Sequence, residues 1–100
     1  MILVRDVFRL KFGKAREAVA VSKEGMEVWR RAGFSGPVRI LTDLVGPSYY
    51  TLILESTYDN LAEYERVERT ALAANEWKRW YQKFVPLAES GHREIFTIVE

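Results

Sequence analysis

The stretch YYTLILESTYDNLAEYER, residues 49–66, decides the fold because its hydrophobic period changes at Asp59–Asn60. Before this point side chains alternate between two faces with a period of two, which is typical of a β-strand. After it apolar residues recur at spacings of three and four, which is typical of an amphipathic helix. Asn60 and Glu63 match a capping box, with asparagine in place of the usual serine or threonine. The stretch therefore predicts a strand that runs directly into a helix.

A strand and a helix are predicted before this corner. Residues 2–12 alternate between an apolar face and a more polar face, and Gly13 ends the strand. The next apolar positions have helical spacing, with Ser22 on the apolar side, and Gly33 closes the helix. Gly25 costs about 1 kcal/mol relative to alanine inside a helix, which predicts a close approach to the sheet or to a neighbouring helix.

Two more strands are predicted between this helix and the corner. Residues 38–45 alternate again, and residues 46–48, with the sequence Gly-Pro-Ser, form a turn. The strand that begins at Tyr49 follows this turn directly. The second and third strands should therefore pair as an antiparallel hairpin.

The C-terminal region predicts a second helical part and a fourth strand. After Ala74 the apolar stripe changes phase, so either one helix bends near Asn75 or two helices meet there. The residues of the new stripe are Trp77, Trp80, Tyr81 and Phe84. Aromatic residues at helical spacing are typical of core or dimer contacts, more than of a stacking or membrane-surface motif. Ser90–Gly91 should break the chain, and residues 93–99 should form the last strand.

The predicted element order is βαββαβ within a single domain of residues 1–100. Two right-handed crossovers place both helices on one face of the sheet, which gives an α+β, ferredoxin-like fold. The four-stranded antiparallel sheet should have the order 4-1-3-2. Its other face stays bare and carries apolar side chains, and large exposed apolar patches are uncommon on monomers. A homodimer with two-fold symmetry is therefore expected.

Composition excludes several classes of function. A chain of 100 residues supports one core, and its formal net charge of +1 gives no general attraction to nucleic acid. The chain has no cysteine and one histidine, so we expect no metal, no cofactor and no disulfide. No apolar run reaches the roughly 18 residues that a membrane span needs. We expect a cytoplasmic protein without a membrane or nucleic-acid partner.

Three segments resemble one known family. The segment ESTYDNLAEYERV, residues 55–67, resembles the strand-to-helix corner of the NIPSNAP-like branch of the dimeric α+β barrel proteins. Residues 70–87 resemble the second helical stretch of that branch, including its tryptophan at Trp77. The LKFGK segment, residues 10–14, is similar to its strand-ending K-x-G, with Phe12 where proline is usual.

This resemblance implies a homodimer whose two sheets form a dimeric α/β barrel around an internal cavity. It implies no catalytic residue, because the superfamily includes cofactor-independent monooxygenases, haem-degrading enzymes, isomerases, decarboxylases and members without an assigned activity. The haem-degrading relatives use a histidine, an asparagine and a tryptophan together. This chain has Trp29 and Trp77, but no histidine or asparagine can be aligned with them.

Charged residues from all four strands should form a row across the sheet. They are Arg39 and Asp43, then Glu55, then Arg5 and Arg9, and finally Glu94. One interpretation is structural, because opposite charges on neighbouring strands contribute roughly 0.2–1 kcal/mol per pair. The other is functional: the three arginines would bind a carboxylate or an enolate inside the barrel. Glu55 or Asp43 would then act as the base.

Two more residues are candidates for a catalytic role. Asp6 lies between Val4 and Phe8 on an apolar strand face, so its carboxylate needs either a structural hydrogen bond or a shifted pKa. His92 follows Gly91 in a predicted loop, where a lone histidine is usually solvated. For both residues the structural and the catalytic interpretations remain open.

Two classes of function are compatible with this sequence. The first is a homodimeric module that binds a small organic molecule, anionic or aromatic, in the barrel. The second is a cofactor-independent monooxygenase or isomerase that acts on a small aromatic or keto substrate. The first is favoured, because no local spacing brings an acid and a base within reach of one proton.

Overall fold

The structure is a computed structural model that describes all of residues 1–100. Four strands and three α-helices follow one another along the chain. In order they are β1 (Ile2–Leu10), α1 (Ala15–Arg31), β2 (Val38–Thr42), β3 (Thr51–Tyr58), α2 (Leu61–Ala73), α3 (Asn75–Phe84) and β4 (Ala88–Thr97), with a 3₁₀ turn at Val85–Leu87 before the last strand. None of the helices combines the length and the apolar character needed to cross a membrane.

The sheet has the order β2-β3-β1-β4, and every neighbouring pair is antiparallel. This confirms the predicted ferredoxin-like α+β fold and the predicted strand order. Strand β1 is central, with Arg5 opposite Glu55 on β3 and opposite Glu94 on β4. Because directly opposite residues in antiparallel strands share a face, these charged residues all lie on one side of the sheet.

The helices cover the other side of the sheet. Val4 on β1 and Leu52 and Tyr58 on β3 are almost fully buried beneath them. Two hydrophobic clusters fill the space between sheet and helices, one around Val4 and Tyr58 and the other around Leu52 and Trp80. The even-numbered residues of β1 therefore face the core, and its odd-numbered residues form the face that no helix covers, here called the open face.

The strand-to-helix corner is capped as predicted. Asn60 Oδ1 accepts a hydrogen bond from the Glu63 backbone N–H at 2.9 Å, which satisfies one of the free donors of the first helical turn. The carboxylate of Glu63 accepts from the backbone N–H of Asp59, also at 2.9 Å. The reciprocal bond of the capping box thus goes to the residue before the cap rather than to the cap itself.

The hairpin between β2 and β3 has a longer connection than predicted. Strand β2 ends at Thr42 and β3 begins at Thr51, so the expected strand 38–45 and its three-residue turn are wrong. The Asp43 carboxylate accepts the Thr51 backbone N–H at 2.7 Å, and Tyr50 adopts a left-handed conformation with φ of 59°. This side-chain bond replaces further strand pairing and ends the ladder.

Strand β4 begins earlier than predicted. It starts at Ala88 and runs through Ser90–Gly91, so the expected chain break at these residues is wrong. A β-carbon on Gly91 would lie 2.6 Å from Phe8 Cδ1. The glycine is needed for a close approach within the sheet rather than for a turn.

Two separate helices meet at Ala74, one of the two predicted alternatives. The extended backbone of Ala74, with ψ of 139°, ends α2 and begins α3. Trp80 and Phe84 of α3 are buried and stack with ring centroids 5.2 Å apart. The edge of the Trp80 indole lies over Gly25 of α1, which confirms that this glycine marks a close helix contact.

We expect Gly25→Ala to lower the free energy of unfolding by a net of about 1–2 kcal/mol, because overpacking against a rigid ring costs about 2–3 kcal/mol. An alanine β-carbon would lie 2.6 Å from Trp80 Cε2, so the buried indole would have to move. This cost outweighs the gain of about 1 kcal/mol that alanine brings to a helix interior. Urea unfolding of this variant and of the exposed control Thr70→Ala tests the prediction. An unchanged midpoint for Gly25→Ala would contradict it.

Candidate functional site

The predicted row of charges forms on the open face. Arg39 Nη2 lies 2.5 Å from Glu55 Oε1, and Arg5 Nε lies 3.0 Å from Glu55 Oε2. Arg5 Nη1 lies 2.8 Å from Glu94 Oε1, which extends the row to β4. Strand pairing causes this arrangement. Arg39 on β2 is opposite Glu55 on β3, Glu55 is opposite Arg5 on β1, and Arg5 is opposite Glu94 on β4.

The geometry of this row supports its structural interpretation. Both oxygens of Glu55 accept bonds from arginines, and its side chain is only 8% exposed. Two guanidinium groups face two carboxylates, so the row is neutral as a whole. Neither a free base nor a free cation is offered to a ligand at Glu55 or Arg5.

Arg9 and Asp43 lie apart from the row. Arg9 is opposite Thr51 as expected, but its Nε is 3.5 Å from Glu89 Oε2, with both side chains about half exposed. Asp43 Oδ1 accepts a hydrogen bond from the backbone N–H of Thr51, where the pairing of β2 and β3 ends. Arg9 therefore shares a depression of the open face with Arg5, whereas Asp43, one of the two alternative bases, lies outside that depression.

His92 lies on β4 and not in a loop, so that part of the prediction is wrong. It is opposite Val7 on the open face, and its Nε2 is 3.2 Å from Glu94 Oε2. The side chain is 60% exposed, as expected for a solvated histidine. It borders a depression of about 580 Å³ whose lining includes Arg5, Arg9 and Glu94 as well as Thr51 and Ser90.

A second and more enclosed space lies between the helices and the sheet. It has a volume of about 130 Å³ and is here called the aromatic cavity. Its lining is mainly aromatic and comes from both strands and helices: Phe8, Trp29, Tyr58, Tyr64, Trp77, Trp80, Tyr81 and Phe84. The three indoles adjoin one another, with centroids 5.4 Å apart for Trp29 and Trp77 and 4.7 Å apart for Trp77 and Trp80.

Asp6 lines this cavity, and its carboxylate is paired with Arg93. Arg93 Nε donates to Asp6 Oδ1 at 2.6 Å, and Arg93 Nη1 donates to Glu68 Oε2 at 2.7 Å. Burial raises the pKa of Asp6 above its ordinary range, although the bond from Arg93 acts in the opposite direction. Burial lowers the pKa of Arg93, but the bond and the charge of Asp6 outweigh it and raise that pKa overall.

Two tyrosines and a serine complete the polar part of the wall. The Tyr64 hydroxyl donates to Glu68, and burial together with this bond raises the pKa of Tyr64 well above its ordinary value. Trp29 Nε1 donates to the Tyr58 hydroxyl, whose pKa burial also raises. Ser22 lines the cavity as well, and its buried hydroxyl has no hydrogen-bond partner.

Of these residues, the sequence singled out only Asp6 as a candidate site residue. It assigned the tryptophans to core or dimer contacts, and it did not single out Ser22, Tyr58, Tyr64 or Arg93. The signal for Ser22 was present, because this serine occupies an apolar position of α1. Arg93 would have followed from the correct start of β4, since the register places it opposite Asp6. No group of three or more histidine, aspartate or glutamate side chains has a geometry that would hold a metal ion.

A family model described as NIPSNAP matches residues 5–100 of this sequence. No curated protein matches it. Among solved structures, an uncharacterised NIPSNAP domain protein from Burkholderia xenovorans superposes with a TM-score of 0.86 at 17% identity, covering 99% of this chain and 95% of the other.

Two oxygenase-related structures share the fold as well. A putative antibiotic biosynthesis monooxygenase from Nitrosomonas europaea has a TM-score of 0.76 at 13% identity, with 100% of both chains covered. SnoaB, a cofactor-independent oxygenase from Streptomyces nogalater, has a TM-score of 0.68 at 15% identity, covering 99% of this chain and 93% of the other. At such identities these likenesses establish the fold and no activity.

We expect the contribution of Asp6 to stability to decrease as the pH rises. Because burial raises the folded-state pKa of Asp6 above its unfolded value, about 3.9, the folded state binds more protons between the two values. The free energy of unfolding of the wild type, relative to Asp6→Asn, should therefore fall from about pH 4 upward and level off above the folded-state pKa.

Urea unfolding at a series of pH values measures this difference. The exposed variant Asp59→Asn, at the helix corner, serves as the control for the loss of one surface carboxylate. A difference between the wild type and Asp6→Asn that grows with pH would contradict the prediction, because it would mean that Arg93 outweighs burial.

Proposed function

The chain belongs to the NIPSNAP family, and from that premise we propose that it is a homodimeric protein that binds a small aromatic molecule in its aromatic cavity. The observation that carries this proposal is the cavity itself, whose lining combines indole, phenol and phenyl groups with a few polar side chains. A cytoplasmic location, and the absence of nucleic-acid and membrane partners, are parts of the proposal that derive from composition and charge.

The size and lining of the cavity favour a single-ring ligand. Its volume of about 130 Å³ is close to that of an apolar protein cavity, about 150 Å³, that holds benzene. Aromatic walls offer a ring both buried area and favourable edge and face contacts. Most ligand sites combine such apolar walls with a few polar groups, and here Asp6, Arg93 and Ser22 provide them.

The barrel between two sheets is a weaker candidate for the ligand site than the sequence suggested. The charges of the open face are already paired with one another, so a bound anion would have to displace Glu55 or Glu94 from Arg5. In the aromatic cavity no such bond must be broken before a neutral ring enters. The cavity therefore replaces the barrel in our proposal.

The homodimer is supported by the chemistry of the open face. Beside the charged row lies an apolar row in which Leu41, Ile53 and Val7 are direct neighbours on three strands. These side chains are only partly buried in one protomer. A second copy related by a two-fold axis would remove this apolar row from water. It would also bury the row of ion pairs beside it, whose charges sum to zero.

A second candidate function is a cofactor-independent monooxygenase or isomerase. Asp6 favours it, because a carboxylate whose pKa is raised by burial beside an aromatic cavity suits a general base. Asp6 would then take a proton from the bound ring or its substituent. Mass spectrometry of a bound probe after incubation in air separates the two candidates, since only an enzyme converts it.

We expect toluene and phenol to raise the Tm of the wild type, because a ligand that binds only the folded state stabilises it. Leu54→Phe should abolish the shift, since Leu54 lines the cavity and the larger side chain occupies part of it. Arg9→Ala, a matched change on the open face, should leave the shift intact. If Arg9→Ala loses binding and Leu54→Phe retains it, the ligand does not bind in the aromatic cavity and its site lies on the open face.

We expect Val7→Glu to convert the dimer into a monomer, because it would place an unpaired charge within the apolar row of the interface. Sedimentation velocity at matched concentrations measures the change, and circular dichroism verifies that the variant is folded. Leu72→Glu, at an exposed position of α2 on the helix side, should remain dimeric. A wild type that sediments as a monomer at high concentration would refute the dimer.

A further inference from the structure

Ser22 is the one buried polar side chain whose hydrogen-bonding capacity is unused. The residue is 1% exposed, and its Oγ has no partner within the protein. Leaving a buried hydroxyl without a hydrogen bond costs about 1–3 kcal/mol. Alanine would avoid this cost and is the better helix former.

The helix itself does not satisfy this hydroxyl. Serines inside helices commonly donate to the carbonyl one turn earlier, as Thr70 does to Arg66 O at 3.0 Å in α2. Ser22 makes no such bond to Ala18. It lies instead on the sheet-facing side of α1, between Ala18 and Gly25, and lines the aromatic cavity. The unused hydroxyl thus belongs to the wall of the proposed ligand site.

The charged residues Asp6 and Arg93 of the same wall, with Glu68 next to Arg93, restrict the ligand further. One guanidinium, that of Arg93, is bound by two carboxylates, those of Asp6 and Glu68. A third carboxylate, from an anionic ligand, would meet an excess of negative charge in a partly desolvated site. A neutral group with a hydroxyl avoids this repulsion and can both donate and accept.

We infer that Ser22 is a ligand-binding residue, and that the ligand is a neutral, single-ring aromatic compound with a hydroxyl group that hydrogen-bonds to Ser22 Oγ. This inference rests on the proposed function, because it places the ligand in the same cavity. It goes further in two respects: it assigns the polar anchor of the site, and it excludes aromatic carboxylates as preferred ligands.

Phenol, toluene and benzoate are the probes that test this inference, since phenol and toluene have nearly the same shape. Titration calorimetry near pH 7 should show that the wild type binds phenol about two- to tenfold more tightly than toluene, the range expected for one neutral hydrogen bond. Benzoate should bind more weakly than phenol. In Ser22→Ala the preference for phenol over toluene should disappear, while toluene binding persists.

Two further measurements separate binding from stability. The Tm of ligand-free Ser22→Ala should be equal to or above that of the wild type, because the variant loses an unsatisfied buried hydroxyl. Ser90→Ala, an exposed serine on the open face, should keep the wild-type preference for phenol.

The outcomes distinguish this inference from the proposed function. Equal affinity of the wild type for phenol and toluene would overturn the role of Ser22 and leave the cavity as a site. An undiminished preference for phenol in Ser22→Ala, or tighter binding of benzoate than of phenol, would do the same. If neither ring binds the wild type, the proposed function fails and the inference fails with it.

Discussion

The antiparallel pairing of β1 with both β3 and β4 is the constraint on which the rest of the structure depends. Because side chains alternate along a strand, this register sends Val4 and Asp6 toward the helices and Arg5 and Val7 toward the open face. A shift of one residue would bury Arg5 in the core and expose Val4 to water. The charged row through Glu55 forms only in the observed register, so it stabilises the same pairing that the hydrophobic core requires.

The two faces of the sheet differ in how fully their polar groups are paired or hydrogen-bonded. On the open face, Arg5, Glu55 and Glu94 satisfy one another, which leaves a surface suited to contact with another protein. On the helix side, Asp6 is held in a wall of aromatic rings with a raised pKa, and Ser22 has no partner. Unsatisfied or perturbed polar groups lower stability and tend to be kept where a function uses them. This contrast is why we assign the ligand to the helix side.

Much of the architecture was predictable from local signals in the sequence. Three predicted features are present in the structure: the change of period at Asp59–Asn60, the Asn60 cap and the contact at Gly25. They could be predicted because each depends on residues close in sequence or on one steric rule. The charged row was predictable because it follows from strand order and face alone. The start of β4 was not, because the role of Gly91 is fixed by Phe8, a residue 83 positions earlier. Arg93 and Ser22 were missed for a related reason, since their significance depends on what packs opposite them.

The central position of β1 also has a kinetic consequence. Ile2 pairs with Thr97 on one side and with Tyr58 on the other, so β1 can pair only with segments that are distant in the chain. Long stretches of chain must be ordered before these contacts form, and proteins with such high contact order fold more slowly than helical proteins of similar size. The local corner at Asn60 can form early, but the sheet closes only when the two distant partners of β1 arrive.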